Sequence, residues 1–222
     1  MQNFQVAIDG PAGIGKSTIS KKVCDILGFT HIDTGAMYRA VTLEALNRGV
    51  DLENPESYAF LNDISIVYEN DKIILNGKSV GREIRSTRVA DNVSTVAKMA
   101  VVREKMVELQ QKAALHGKIL MDGRDIGYVV LPNANIKIFL TASVEERAKR
   151  RYLENIEKGI ECTLEAVEKD LERRDYIDSH REFAPLCKAK DAVEVDTSTL
   201  TIEESIDAIV KIIKSKVGII NE

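Results

Sequence analysis

Gly10 to Ser17 reads Gly-Pro-Ala-Gly-Ile-Gly-Lys-Ser, which fits the pattern G-x-x-x-x-G-K-[ST]. Residues of these types at this spacing can hold a polyphosphate. Successive backbone N–H groups of such a loop point into one concavity and form a nest for anionic oxygens. Gly10, Gly13 and Gly15 allow the phosphates to approach the backbone closely, while Pro11, Ala12 and Ile14 fill the variable positions. Lys16 brings positive charge to the outer phosphates, and Ser17, followed by Thr18, offers a hydroxyl ligand to Mg2+. A plain tight turn can also match eight residues. The flanks decide for phosphate: Phe4 to Ile8 is a short apolar run and Thr18 to Leu27 has helical spacing, so strand, loop and helix follow in the required order.

A phosphate loop identifies one end of a ligand and says nothing of an acceptor. Arginines and aspartates at other strand ends are the second signal. Arg39 lies just beyond Asp33-Thr34-Gly35, and Arg124 sits within Asp122-Gly123-Arg124-Asp125-Ile126-Gly127. Arg147, Arg150 and Arg151 share one helix, followed by Arg173, Arg174 and Arg181. A guanidinium fork grips a phosphate bidentately, and several together can neutralise the charge on a transferring phosphoryl group. For Arg147 to Arg151 a solvated basic face is the competing reading. Asp33 and Asp122 could hold a Mg2+-bound water or orient an attacking oxygen, though Asp33 before Thr34-Gly35 also reads as a helix N-cap. Asp125 could accept a hydrogen bond from the amine of a base. Asp178 and Arg181, three apart, would share a helix face and could be a surface pair.

The elements that must position these residues alternate. Apolar strands are expected at Phe29–Asp33, Ile119–Asp122, Ile136–Leu140 and Val193–Asp196, with helices at Ala36–Arg48 (Gly49 its C-cap), Val101–His116 and Ile202–Val217. This pattern predicts an α/β fold: a three-layer α/β/α arrangement of the P-loop class with a parallel central sheet, and ligand at the carboxyl ends of its strands. One interruption stands out. Ile64–Tyr68, Lys72–Leu75 and the turn Asn76-Gly77 predict a small antiparallel meander, followed by a helix at Val89–Lys98.

The chain of 222 residues can bury a substantial core. Hydrophobic content of 44% and charged content of 30% exclude a disordered chain, and the apolar runs fall short of the roughly 20 residues a membrane helix needs. A strand starting at Phe4 leaves no room for a signal peptide, so a cytoplasmic location is expected. The net charge of −4, from 31 basic and 35 acidic residues, argues against nucleic acid as a partner. Cys24, Cys162 and Cys187 suggest neither a disulfide framework nor a zinc site.

Taken together, these motifs resemble the bacterial cytidylate kinases. Gly10 to Thr18 followed by Asp33-Thr34-Gly35-Ala36-Met37-Tyr38-Arg39 is similar to that family's opening, and Asp122 to Gly127 to its central strand-end motif. Arg174-Asp175, Asp178-Ser179, Arg181-Glu182 and Ala184-Pro185-Leu186 match its late motif in order and spacing. The meander with Glu83-Ile84-Arg85, Val93 to Ala97 and Val102-Arg103 is similar to its enlarged monophosphate-binding insert. The similarity runs from about Val6 to Thr201.

The resemblance implies transfer of the γ-phosphoryl of ATP to CMP or dCMP with Mg2+, by a single P-loop kinase domain over 1–222 acting as a monomer. It places a monophosphate-binding insert at about 60–100 and a helical lid at about 150–175. Residues 10–18 would hold ATP. Ser94, Arg103 and Asp125 would read the cytosine edge; Thr34 (commonly serine in the family) and Asp178 would contact the sugar. Arg39, Arg124, Arg174 and Arg181 would grip the acceptor and transferring phosphates, with Asp33 beside them and Arg147, Arg150 and Arg151 in the lid. Tyr128, Leu131 and Gln111 depart from the family pattern, beside the contact set. Another small P-loop kinase, acting on UMP, shikimate or dephospho-coenzyme A, would share the loop and lid arginines without needing Ser94 and Arg103. A nucleotide-gated switch would carry an [NT]-K-x-D base-reading motif after a strand, and the sequence has none.

Overall fold

Strand β1 (Phe4–Asp9) is apolar on both faces, which requires cover on both sides. Val6 and Ile8 pack with Ile19 and Val23 of helix α1 (Lys16–Leu27) and with Ile206, Ile209 and Ile213 of α7 (Ile202–Ile220). Ala7 points the other way, toward Met37, Ala40 and Val41 of α2 (Thr34–Arg48) and Val102 and Met106 of α4 (Ala100–Ala113). The computed structural model describes residues 3–69, 72–157 and 159–220. Residues 70 and 71 of the expected insert and residue 158 of the expected lid lie outside the described residues.

The central sheet has the order β2-β6-β1-β7-β8, where β2 is Thr30–Asp33, β6 Lys118–Gly123, β7 Ile136–Thr141 and β8 Val193–Asp196. Every neighbouring pair is parallel. The register aligns the carboxyl ends: Asp33 pairs with Asp122, and Asp9 with Gly123 and Phe139. Three strand-end aspartates therefore meet at one edge of the sheet, where the loop after β1 begins.

The expected meander is β3 (Ile66–Glu69), β4 (Lys72–Leu75) and β5 (Lys78–Ser79), antiparallel throughout. Asn76 and Gly77, with φ of 48° and 78°, make the two-residue turn whose twist suits a hairpin. Its Ile66, Ile73 and Leu75 join the cluster under α2, so the insert shares a core with the main body. α3 (Thr87–Ala97) begins two residues before the expected Val89, and α4 ends before the expected His116. A 3-10 segment at Pro55–Asn62 gave no periodic signal; it buries Tyr58, Phe60 and Leu61. Helices α5 (Val144–Glu157) and α6 (Leu164–His180) pack through Ala148, Val167 and Leu171 against Ala12 of the loop.

Candidate active site

The loop from Gly10 to Ser17 runs from the end of β1 into the first turn of α1, with Gly15 at φ 87° as its N-cap residue. Gly10 passes so close to β7 that a Cβ there would sit 2.5 Å from the carbonyl oxygen of Leu140. Lys16 Nζ donates to the carbonyls of Gly10 and Pro11, at 2.8 and 2.7 Å. Burial first, then the charge of Arg124, holds the lysine well below its usual pKa range.

Ser17 Oγ donates to Asp122 Oδ2 at 3.0 Å, and the other carboxylate oxygen lies 2.6 Å from His31 Nε2. Thr34 Oγ1 donates to the Asp122 carbonyl. Asp33 is the N-cap of α2: its Oδ1 accepts from Ala36 N at 2.8 Å, and its Oδ2 from Arg39 Nη2 at 3.2 Å. Burial opposes ionisation of Asp33, but Arg39, the Ala36 N–H and His31 outweigh it and hold the carboxyl below its usual range.

Ser17 and Asp122 present an alcohol and a carboxylate oxygen side by side, both hard donors. Their 3.0 Å separation matches adjacent corners of an octahedron with ligands at about 2.1 Å, the arrangement Mg2+ requires. Among the described residues no group of three or more His, Cys, Asp or Glu side chains could cage a metal. Mg2+ characteristically takes one or two protein ligands and completes its shell with water and phosphate oxygens, so the pair fits it.

The second half of the site lies beyond Arg124. Arg124 Nε donates to Asp178 Oδ2 at 2.8 Å, and Arg181 Nη1 lies 3.9 Å from the other oxygen of Asp178. Burial again opposes ionisation of Asp178, and the two arginines hold its carboxyl low. Arg181 also faces Asp125 Oδ1 at 3.5 Å, while Asp125 Oδ2 accepts from Arg103 Nη2. Arg103 is seated by α3 and α2: Nη1 donates to the Ala97 carbonyl, and the guanidinium lies 5.4 Å from the centre of the Tyr38 ring. Ser94 is buried on α3. Asp178 and Arg181 are thus not the surface pair their spacing allowed; both are buried.

Arg174 extends the cationic row. It is pushed down to about 10, first by burial and then by Arg124. Its Nε, the Nε of Arg39 and Nη2 of Arg181 are buried with no hydrogen-bond partner. Buried N–H groups of this kind are costly unless an acceptor arrives, so each of these arginines, although within 4 Å of a carboxylate, keeps a nitrogen free to meet a further acceptor.

Of the α5 arginines, Arg147 is buried: Nη1 donates to the Ala12 carbonyl at 2.8 Å and lies 2.7 Å from Asp175 Oδ2, whose other oxygen accepts from Ala12 N. A solvated face is excluded for it. Arg150 is committed elsewhere, donating to the carbonyls of Thr197, Ser198 and Leu200. It borders a cavity of about 510 Å3 lined by Glu146, Ser198, Thr199, Leu200 and Thr201. Arg151 pairs with Glu154, partly exposed. Tyr128 of a π-helical turn (Ile126–Val130) donates to the Pro185 carbonyl.

The family model for cytidylate kinase matches residues 6–215. The chain belongs to the cytidylate kinase family. Over 222 residues, all of both chains, it is 50% identical to a protein named cytidylate kinase from Acholeplasma laidlawii. It is 51% identical over 215 residues, 96% of this chain and 99% of the other, to one from Alkaliphilus oremlandii. An uncharacterised Eubacterium ventriosum protein of known structure superposes with a TM-score of 0.52 over 96% of this chain and 99% of its own, at 12% identity, a likeness of fold alone. The family makes the chain a nucleoside monophosphate kinase that performs ATP-dependent phosphoryl transfer.

Several site residues gave no signal in the sequence reading. Asp9 and His31 are drawn in only by folding, while Tyr38 and Asp175 stood in motifs without a task of their own. Asp9 ends an apolar strand like Asp33 and Asp122, and that shared position was the one available clue.

Proposed function

We propose that the chain transfers the γ-phosphoryl group of ATP to CMP or dCMP, yielding ADP and CDP or dCDP, in pyrimidine nucleotide metabolism. The observation that carries this reading is the buried Asp125, set between Arg103 and Arg181 and linked through Arg181 and Asp178 to Arg124, whose charge is felt at Lys16 of the phosphate loop. A carboxylate has about four acceptor sites, so Asp125 can hold two guanidinium groups and still accept from the exocyclic amine of cytosine. Arg103 and Ser94 supply donors to the ring acceptors. Uracil offers no such amine, and a site built to bind one rejects the analogue lacking it.

Thr34 and Asp178 take the sugar. Arg39, Arg124, Arg174 and Arg181 surround the acceptor phosphate and the phosphoryl group in flight. One acceptor phosphate oxygen attacks the γ-phosphorus, its bond to the β-γ bridging oxygen breaks, and ADP leaves with that electron pair. Residues 10–18 bind the donor phosphates, and an arriving phosphate draws Lys16 off the Gly10 and Pro11 carbonyls. Preorganised charge supplies most of such a rate enhancement. Ser17 and Asp122 would hold Mg2+, which when bound neutralises phosphate charge. The cavity beside Arg150, one turn along α5 from the Arg147 contact to Ala12, takes the adenine end of ATP.

Residues 1–222 act as one kinase domain, with the monophosphate-binding insert at about 60–100 and a lid at about 150–175 that excludes water. The kinase acts as a monomer. Three free cysteines suit a reducing cytoplasm, and the acidic net charge suits small substrates rather than nucleic acid. No helix among the described residues is long and apolar enough to cross a membrane.

The test is an assay of the pure protein with ATP and Mg2+ against CMP, dCMP, UMP, AMP, GMP and shikimate. Activity confined to the cytidine nucleotides is expected; a preference for UMP or shikimate would overturn the reading.

A further inference from the structure

Asp9 is an ionisable side chain for which phosphoryl transfer has no direct task. It ends β1, immediately before the phosphate loop, and is 4% exposed. Its Oδ1 accepts from the backbone N of Ile126 at 2.9 Å, and its Oδ2 from that of Gly127 at 2.8 Å. Both oxygens thus clamp consecutive peptide groups of another strand's exit, more than a hundred residues along the chain.

The clamped peptides directly follow Asp125. The Asp125 carbonyl in turn accepts from Val129 N at 2.9 Å, so the backbone on its C-terminal side is held from two directions. The contact is tight at the glycine: a Cβ on Gly127 would lie 3.3 Å from Asp9 Oδ2 and 3.3 Å from Lys137 Cδ, so both neighbours would have to give by a few tenths of an ångström. A buried carboxylate is an expensive way to fill space, and an apolar residue at the end of β1 would pack at lower cost. What an apolar residue cannot do is fix two N–H groups to within hydrogen-bond tolerance.

We propose that Asp9 is a positioning residue for base selection: by holding the Ile126 and Gly127 peptides it sets where the Asp125 carboxylate stands relative to the phosphate loop. The inference rests on the reading of Asp125 as the cytosine reader. It links the two halves of the site, because one residue both launches the donor loop and anchors the acceptor reader. Displacement of Asp125 by a fraction of an ångström weakens its bond to the base while leaving the donor loop intact.

The experiment compares Asp9→Asn, Asp125→Ala and the parent at pH 8 with CMP and UMP. Asn keeps the volume of Asp but turns one acceptor into a donor facing an N–H. Expected for Asp9→Asn is a rise in KM for CMP of about tenfold, a similar fall in the CMP-to-UMP ratio of kcat/KM, and a KM for ATP within about twofold of the parent, the scale of one lost hydrogen bond. A lowered Tm with the ratio and both KM values unchanged would make Asp9 a structural residue and overturn the inference. If Asp9→Asn does not fold, Gly127→Ala, which pushes on the same clamp, must shift the ratio instead. Should Asp125→Ala itself keep the parent's ratio, the base-reading role fails and this inference with it. Should only Asp125→Ala lose the ratio, the role stands and the inference alone falls.

Discussion

Arg103 of α4 and Asp125 after β6 form an ion pair in which both side chains are only 4% exposed. Losing Arg103 leaves the buried Asp125 with only the longer contact to Arg181, at 3.5 Å, so much of its charge goes uncompensated. Arg103→Met should therefore destabilise the protein by about 3–5 kcal/mol, read from urea unfolding. A loss under about 1 kcal/mol would mean that water reaches Asp125 and that the pair is not sealed.

At the loop, Lys16→Ala should keep the far-ultraviolet circular dichroism of the parent, since its bonds to Gly10 and Pro11 are local. Transfer should fall by about 10²–10³-fold or more, the cost of removing a preorganised charge from the transition state. Near-parental kcat in a coupled ADP-release assay would remove Lys16 from the mechanism.

The Arg124→Lys protein keeps its charge and loses its fork. An ammonium can meet either Asp178 or a phosphate, whereas the guanidinium offers Nε to Asp178 and further N–H groups to an anion. A fall in kcat for CMP of about tenfold or more is expected. Steady-state kinetics equal to the parent's would show that position 124 needs charge alone.

Asp9 gives stability a pH dependence with a defined sign. Burial outweighs its two backbone hydrogen bonds and pushes the carboxyl from the ordinary 3.8 up to about 7. Between those values the folded state keeps a proton that the unfolded chain has released. The contribution is complete below 3.8 and is lost as pH rises through 7. Asp9→Asn lacks this titration, so its Tm relative to the parent should climb between about pH 4 and pH 7 and level off above, at most about 1.4 kcal/mol of stability per pH unit. Calorimetry across that range reads the difference, in which other titrating groups cancel. A flat difference would show Asp9 ionised throughout.

Much of this site was legible before folding, for local reasons. The phosphate loop is one contiguous segment between a strand and a helix, so its residues and their job are fixed together. Asp33 capping α2, Gly49 closing it and the Asn76-Gly77 turn are likewise decided by neighbours a few residues away. The parallel sheet followed from alternating apolar strands and helices, since both faces need cover. Ranges slipped by a residue or two where a polar first turn, as at Thr87, carries no periodic signal.

Folding alone decided which charges face which. Spacing within α6 offered Asp178 and Arg181 as a surface pair; the packing of α6 under the loop buried them and gave each a second partner, Arg124 and Asp125. Sequence proximity put Arg147 and Arg150 in one group, yet three residues, about 4.5 Å along the helix and about 60° short of a full turn, send the first to the Ala12 carbonyl and the second to the loop after β8. Asp9 is the plainest case. Its type and its place at a strand end are written in the sequence, but its task depends on Ile126 and Gly127 arriving from the neighbouring strand. Hydrogen-bond partners across parallel strands are set by sheet order and register, and those are properties of the assembled chain.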